Sequence, residues 1–290
     1  MCDDFTDADD AAALAARGLT RREFAAIGTA AVLAGCAGGP ASAAGRGELK
    51  EGPVAIATAD GMADGFFVHP AKGRHPGVIF WPDIAGLREV KKVMARRLAA
   101  AGYAVLVVNQ YYRAMRAPVL ASFAEWRTPE GQAKIGPMRA ALTPAAVMRD
   151  AAAYVAWLDG QKAVDTRRGI GAQGYCMGGP FAVRSSIASQ RVRAAASFHG
   201  GGIASEAPDS PHLGLGAAQA RYLIAVARGD DQRNPQEKER FRAAAAAAGR
   251  PAEIEVYAAE HGWCVPDSPV YDAAVADRAF ARLLALYAAL

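Results

Sequence analysis

The chain has 290 residues, 52% of them hydrophobic and 21% charged, and a formal charge of +4, as expected for a globular protein with one large domain. Its basic residues are scattered singly and do not alternate with aromatic residues, which argues against a nucleic-acid-binding protein. None of the four cysteines is in a CxxC pair and no Cys/His cluster has zinc-ligand spacing, and the two cysteines after residue 43 are too few for a disulfide scaffold. No apolar run reaches the roughly 18–20 residues of a membrane-spanning helix.

Residues 1–43 have the pattern of a bacterial export signal. Arg21 and Arg22 precede Phe24, a short apolar stretch and then small residues. The segment from Thr20 to Phe24 resembles the twin-arginine signal, which carries folded proteins out of the cytoplasm. The sequence therefore predicts an exported, periplasmic protein.

The processing of this segment is open. Residues 41–43 fit an A-x-A cleavage site, whereas residues 33–36 look like a lipobox in which Cys36 is lipidated. The alternative is an Ala-rich N-terminal helix that happens to contain an arginine pair. The acidic start of the chain favours this alternative, which would leave the protein in the cytoplasm.

Residues 44–52 are predicted to form a linker and residues 53–290 the domain. Buried or alternating apolar runs predict strands, and amphipathic segments between them predict helices. The strands are expected at 54–58, 66–68, 78–81, 104–108, 169–173, 194–198, 222–227 and 253–257, and the helices at 89–101, 144–158, 178–189, 235–248 and 271–290. Thr143 is the expected N-cap before Pro144, and residues 113–142, with three prolines, are expected to form a cap or loop near the site. This alternation predicts an α/β fold with a mostly parallel sheet and helices on both faces.

The segment Gly174-Tyr175-Cys176-Met177-Gly178-Gly179 follows a strand and opens a helix. Its G-x-C-x-G pattern is that of a nucleophile elbow, with cysteine in place of serine. Glycines flank the nucleophile because a Cβ there would collide with the adjacent strand or helix. The helix N-terminus favours negative charge, which lowers the pKa of a thiol. The alternative is a buried cysteine in a glycine-rich turn.

A nucleophile needs a base, and the base needs an acid that orients it. In this fold the chain order is nucleophile, acid, histidine. His261 follows the last predicted strand and is the expected base. His199 ends a strand and could line the pocket but is expected to be structural, and His212 lies in a polar loop. The acid should follow the strand at 222–227, where Asp230 is preferred and Asp231 is the alternative.

These motifs resemble the dienelactone hydrolase family over about residues 52–290. The resemblance rests on the elbow, the aspartates at 230–231, the sequence His261-Gly262-Trp263 and the segment at 76–87. It implies an α/β-hydrolase fold, an oxyanion hole formed by the backbone amides of Ile84 and Met177, and a catalytic role for Asp83. In the family an acidic residue at the position of Asp83, usually Glu, helps to switch the nucleophile between thiol and thiolate.

The resemblance also implies substrate-binding residues. The loop at 109–113 resembles the family's substrate-binding loop and offers Tyr112 and Arg113, although Arg113 is displaced by about one residue; Trp263 follows the catalytic histidine. Val265 stands where the best-known members carry an arginine that holds the substrate carboxylate. These departures leave the fold intact and do not favour dienelactone itself as the substrate.

The sequence thus predicts a hydrolase that cleaves a small lactone or carboxylic ester, with a substrate that could be anionic. It implies no cofactor, no metal and no nucleic-acid partner, contact with the membrane only through the export signal or a lipid anchor, and a monomer. A broad-specificity carboxylesterase and an exported non-catalytic binding protein on the same scaffold are the alternatives.

Cys264, three residues after His261, is expected to be a buried packing residue that stays unpaired.

Overall fold

The computed structural model describes residues 11–12, 14–15 and 47–290. The predicted arginine pair, both predicted cleavage sites and Cys36 lie outside the described residues. Within the described part, no helix combines the length and apolar character needed to cross a membrane.

An eight-stranded sheet forms the centre of the fold, in the order β1-β2-β4-β3-β5-β6-β7-β8. Its strands are β1 (Leu49–Thr58), β2 (Gly61–Pro70), β3 (Gly77–Trp81), β4 (Ala104–Val108), β5 (Ile170–Tyr175), β6 (Val192–Phe198), β7 (Arg221–Ala227) and β8 (Ala252–Tyr257). The pairs β1–β2 and β2–β4 are antiparallel, and all the other pairs are parallel. The predicted α/β fold with a mostly parallel sheet is therefore confirmed.

Helices connect the strands and cover both faces of the sheet. They are α1 (Glu89–Ala100), α2 (Phe123–Trp126), α3 (Pro129–Ala140), α4 (Pro144–Asp159), α5 (Gly178–Ala188), α6 (Arg228–Arg233), α7 (Pro235–Ala247) and α8 (Ala273–Tyr287), with a 3₁₀ helix at Pro211–Ala217. The predicted cap of α4 is present, since the Thr143 hydroxyl accepts a hydrogen bond from the amide of Ala146 at 3.2 Å.

The two-residue period of the strands divides the core. In β3, Val78 and Phe80 pack with α1 and α8 on one face, whereas Ile79 and Trp81 pack with α4 and α5 on the other. A strand that is apolar on both sides has to be covered on both sides, which is why β3 and β4 read as continuous apolar runs.

Two segments differ from the sequence prediction. Strand β1 begins at Leu49, inside the predicted linker, because its backbone pairs with β2 over its whole length although its side chains are largely exposed. The predicted cap at 113–142 contains the helices α2 and α3, and α3 continues through Pro137. Ile135 of α3 is buried against a cluster that includes Ile84, which anchors this cap above the carboxyl ends of the strands.

Candidate active site

Cys176 lies at the turn between β5 and α5 with a φ of 52°, the left-handed region that side chains other than glycine rarely adopt. A Cβ on Gly174 would stand 1.8 Å from the Gly178 carbonyl oxygen, and one on Gly178 would stand 2.5 Å from that of Pro82. Both glycines are therefore required by close backbone contacts. The strained turn holds Cys176 at the carboxyl end of the central strand, as in a nucleophile elbow.

His261 and Asp230 form a hydrogen-bonded pair in the loops beyond β8 and β7. The ring Nδ1 of His261 lies 2.7 Å from a carboxylate oxygen of Asp230. Because an ionised carboxylate can only accept, Nδ1 is the donor and Nε2 carries the lone pair. Burial tends to raise the pKa of Asp230, but the charge and hydrogen bond of His261 outweigh it and hold this pKa below its usual value.

Asp231 has a different partner. Its carboxylate forms an ion pair with Lys238, while Asp230 also accepts a hydrogen bond from Arg233 at 2.6 Å. Both aspartates lie in the short helix α6, where the sequence predicted a turn. The geometry therefore places Asp230, and not Asp231, at the histidine.

A pocket with about 220 Å³ of empty space brings the predicted nucleophile and base together. Its lining residues come from the loop after β3, the cap, the elbow and the loops after β6 and β8: Asp83, Phe123, Cys176, His199, His261, Gly262, Val265 and Ser268. In the part of the chain that the structure describes, no group of acidic, histidine and cysteine side chains is arranged to hold a metal ion.

Asp83 is buried in a network of charges. Arg88 donates to both of its oxygens, at 2.7 and 3.0 Å, and Lys91 lies 2.6 Å from the second oxygen. Burial would raise the pKa of Asp83, but Arg88 and Lys91 overcome this and hold the pKa well below its usual value. A carboxylate held in this way is ionised and engaged by Arg88 and Lys91, and it lines the pocket together with Cys176. A role of Asp83 in switching the nucleophile between thiol and thiolate stays a prediction.

The loop that would carry the oxyanion amides is fixed by side chains from the turn after β4. Gln110 donates to the Asp83 carbonyl at 2.7 Å, and the Tyr111 hydroxyl donates to the Ile84 carbonyl at 2.7 Å. Met177 is the N-cap residue of α5 and directly follows Cys176. Ile84 and Met177 therefore lie in the segments on either side of Cys176 that an oxyanion hole requires.

Arg113 and Tyr112 do not line the pocket. Arg113 binds Asp150 through two nitrogens at 2.8 Å and Asp60 at 2.6 Å, and the Tyr112 hydroxyl donates to Asp150 at 2.8 Å. The guanidinium is occupied by internal carboxylates, and substrate binding by these two residues stays a prediction. They join the β1–β2 turn to α4.

Trp263 is also absent from the lining. Its ring is fully buried, stacks on Tyr257 at 5.2 Å and meets the edge of the His199 ring at 5.2 Å. It packs against His199, which lines the pocket, and its predicted contact with substrate stays a prediction. Cys264 is a free, buried thiol in the same core, in agreement with its predicted packing role, and burial strongly raises its pKa.

Sequence reasoning missed the cations around Asp83. Lys91 lies on the same face of α1 as Ala95 and Leu98, and all three are buried. A lysine within an apolar stripe at this spacing indicates a buried negative partner, so this signal was present in the sequence. Asp267, which completes the network by binding Arg88 at 2.7 Å, lies in an irregular loop and gave no such signal.

The cap supplies a further cation close to the nucleophile. Arg127 lies with its Cζ 5.4 Å from the centre of the Phe123 ring, which lines the pocket. Burial lowers the pKa of Arg127 to about 10, and attraction to Cys176 opposes this change. Arg127 is therefore still charged at neutral pH.

The sheet order, the elbow and the positions after β7 and β8 define an α/β-hydrolase. The sequence model of the dienelactone hydrolase family matches residues 63–290, which is most of the chain, and the chain belongs to that family. A protein of Methylorubrum extorquens assigned as a carboxymethylenebutenolidase is 28% identical over 241 residues, 81% of this chain and 79% of that protein.

Solved structures show the same fold. A protein of Klebsiella pneumoniae subsp. pneumoniae assigned as a dienelactone hydrolase matches with a TM-score of 0.72 at 22% identity, over 84% of this chain and 100% of that chain. A dienelactone hydrolase-like promiscuous phosphotriesterase from metagenomic libraries matches with a TM-score of 0.69 at 21% identity, over 83% of this chain and 98% of that chain. This chain is accordingly a hydrolase of the dienelactone hydrolase family.

Proposed function

We propose that this hydrolase cleaves small lactones or carboxylic esters through Cys176, His261 and Asp230. The observation that carries the proposal is a cysteine on a strained elbow in one pocket with a histidine whose Nδ1 is held 2.7 Å from Asp230. This arrangement provides the nucleophile, base and orienting acid of acyl transfer.

The reaction begins when His261 Nε2 takes the proton of the Cys176 thiol and the sulfur attacks the carbonyl carbon. The backbone amides of Ile84 and Met177 stabilise the negative charge that develops on the carbonyl oxygen. As the carbon–oxygen bond breaks, His261 returns the proton to the leaving alkoxide and a thioester remains. Water, deprotonated by His261, then attacks the thioester and releases the carboxylic acid and the thiol.

Asp230 keeps the imidazole of His261 in the tautomer that these reaction steps require. The ionised carboxylate of Asp230 accepts a hydrogen bond from Nδ1–H, which leaves Nε2 as the base. The negative charge of Asp230 also stabilises the imidazolium that forms. A cation close to the pocket is Arg127, whose guanidinium lies over the ring of the pocket-lining Phe123.

The test is a panel of p-nitrophenyl esters of increasing chain length and neutral and carboxylate-bearing lactones, assayed with wild type, Cys176→Ala and Cys264→Ala. We expect Cys176→Ala to lose at least about 10³-fold in kcat/KM, in line with the loss of a triad member, and Cys264→Ala to stay active. Intact mass spectrometry should show an acyl adduct on the wild type and on Cys264→Ala, but not on Cys176→Ala.

The panel also separates the alternatives. A broad preference across simple esters would identify a carboxylesterase, and a lower KM for the carboxylate-bearing lactones would support an anionic substrate. Cys176→Ala with more than a few per cent of wild-type activity would exclude Cys176 as the nucleophile. An absence of turnover and of adduct on every substrate would favour a binding protein on this scaffold.

A further inference from the structure

His199 is held beside the nucleophile in an unusual backbone conformation. It follows β6 with a φ of 41°, and its amide donates to the Ala225 carbonyl at 2.8 Å. The carbonyl of the preceding Phe198 accepts from the amide of Cys176 at 3.0 Å. The backbone around His199 is therefore tied to β7 on one side and to the elbow on the other, and strain of this kind concentrates at functional sites.

The His199 side chain is buried without a polar partner among the described residues. It is 2% exposed, and neither ring nitrogen has a hydrogen-bond partner in that part of the chain. Its neighbours are rings: His261 at 4.7 Å and Trp263 at 5.2 Å between centroids. Burial of an unpaired polar group is unfavourable, and phenylalanine would fill such a site without this cost.

The imidazole of His199 is neutral at neutral pH. Burial lowers its pKa well below the usual value, and the nearby His261 lowers it further, against the weaker opposing effect of Asp230. A neutral imidazole offers one N–H donor and one lone pair. Its complement is an uncharged group that can both accept and donate, which is a hydroxyl.

The sheet order decides which part of a substrate lies near His199. Ile84 follows β3, on one side of the nucleophile strand β5, whereas His199 and His261 follow β6 and β8 on the other side. The oxyanion is thus expected on the β3 side. The leaving alcohol, which His261 protonates, is expected on the side of His199.

The geometry points to His199 as a specificity residue that hydrogen-bonds a neutral hydroxyl on the alcohol portion of the ester or lactone. The assignment rests on the proposed acyl-transfer function of the same pocket, which His199 lines together with Cys176 and His261. The substrates are then esters and lactones whose alcohol portion carries a hydroxyl a few bonds from the oxygen of the ester bond that is cleaved. A charged group at this position would meet no countercharge on His199.

The experiment compares the 2-hydroxyethyl and n-propyl esters of butyric acid, which have nearly the same size and differ in the hydroxyl. The ratio of their kcat/KM values is measured for wild type, His199→Phe and His199→Asn. We expect the wild type to favour the hydroxyethyl ester by about tenfold or more in kcat/KM. The n-propyl ester leaves the His199 ring nitrogens without a hydrogen-bond partner, which disfavours its reaction. His199→Phe should bring the ratio to about one, because it keeps a ring against His261 and removes both nitrogens.

His199→Asn keeps a donor and an acceptor and tolerates the positive φ, so it should retain part of the preference. The control is His212→Phe, in the helix at Pro211–Ala217. The His212 ring is hydrogen-bonded to Ser210 and does not line the pocket, so this variant should keep the wild-type ratio. A wild type with equal rates on both esters, or a His199→Phe variant with the wild-type ratio, would overturn the assignment. Hydrolysis of neither ester together with no acyl adduct in the Cys176 experiment would overturn the proposed function, and this inference with it.

Discussion

Asp230 and Asp231 are neighbours in the chain, yet their carboxylates bind different groups. Asp230 contacts His261 and Arg233, whereas Asp231 forms an ion pair with Lys238 on the following helix. Because α6 begins directly after β7, one residue changes the direction of the side chain by about 100° around the helix. This rotation separates a carboxylate that contacts His261 from one that joins two helices through Lys238.

Replacement of each aspartate by asparagine should therefore give unequal results. Asp230→Asn removes the charge that stabilises the imidazolium and favours the wrong tautomer, so kcat/KM on p-nitrophenyl butyrate should fall by about 10⁴-fold. Asp231→Asn is the matched control and should change it by less than about threefold. If the two losses are equal, or Asp231→Asn is the more damaging, the triad acid has been assigned to the wrong residue.

Arg113 shows how far the partners of a side chain can lie from the segment on which a resemblance rests. Its position in the loop after β4 matches a substrate-binding loop, but its partners Asp150 and Asp60 are 37 and 53 residues away in the chain. Nothing local in the sequence reveals such contacts. Conversely, the pairing of His261 with a residue at 230–231 was predictable, since the elbow fixes the chain order of the other two groups.

At the scale of elements, a buried charge network ties the cap to the sheet. Asp267, in the loop after β8, accepts from Arg88 at the start of α1 and from the amide of Phe123 at the start of α2. Arg88 in turn binds Asp83, next to the nucleophile. The network contains two cations and two anions, so the removal of one member leaves a buried charge without compensation.

Asp267→Asn should therefore destabilise the protein strongly. The loss leaves Arg88 and Lys91 with Asp83 as their shared anion, and we expect the free energy of unfolding to fall by about 3–5 kcal/mol. The control is Asp277→Asn, whose exposed pair with Arg97 should contribute about 0–1 kcal/mol. The free energies of unfolding of both variants and the wild type are measured by urea denaturation. Similar losses in the two variants would show that the buried network contributes no more to stability than a surface ion pair.

The elements that the sequence predicted well are those with a buried apolar pattern. β4 was predicted at its observed bounds, and the other central strands within about two residues, because strands covered on both faces read as apolar runs. β1 was predicted to begin too late because half of its side chains face solvent and its order comes from backbone pairing with β2. The helix α3 was missed because Pro137 is a helix breaker in isolation, whereas burial of Ile135 stabilises the helix in the folded protein.

At the scale of the whole molecule, the parallel strands bring distant residues to one edge. Cys176, Asp230 and His261 follow β5, β7 and β8, whose carboxyl ends lie side by side in the sheet. Ligands of open parallel sheets bind at this edge. The sequence could therefore predict from strand order that Cys176, His261 and an aspartate at 230–231 lie at this edge. It could not assign His199 to the pocket, because this depends on the left-handed turn after β6 and on the packing of two further rings.

We propose that residues 1–43 direct this domain out of the cytoplasm after it has folded. The support is the order of the arginine pair, the apolar stretch and the small residues in the sequence. Folding before export suits this domain, since its site is assembled from strands that are far apart in the chain.

A fusion of residues 1–50 to a fluorescent reporter that folds before export tests this proposal in a bacterium with a twin-arginine pathway. The native pair should deliver the reporter to the periplasm, while Arg21→Lys combined with Arg22→Lys should leave it in the cytoplasm, because that pathway reads the arginines themselves and not only their charge. Fractionation after osmotic shock measures both. Cys36→Ala in the same fusion separates the two processing schemes, since loss of membrane association would identify a lipid anchor and unchanged release would favour cleavage after Ala43. Export that survives the double lysine change, or no export of the native fusion, would contradict the twin-arginine assignment.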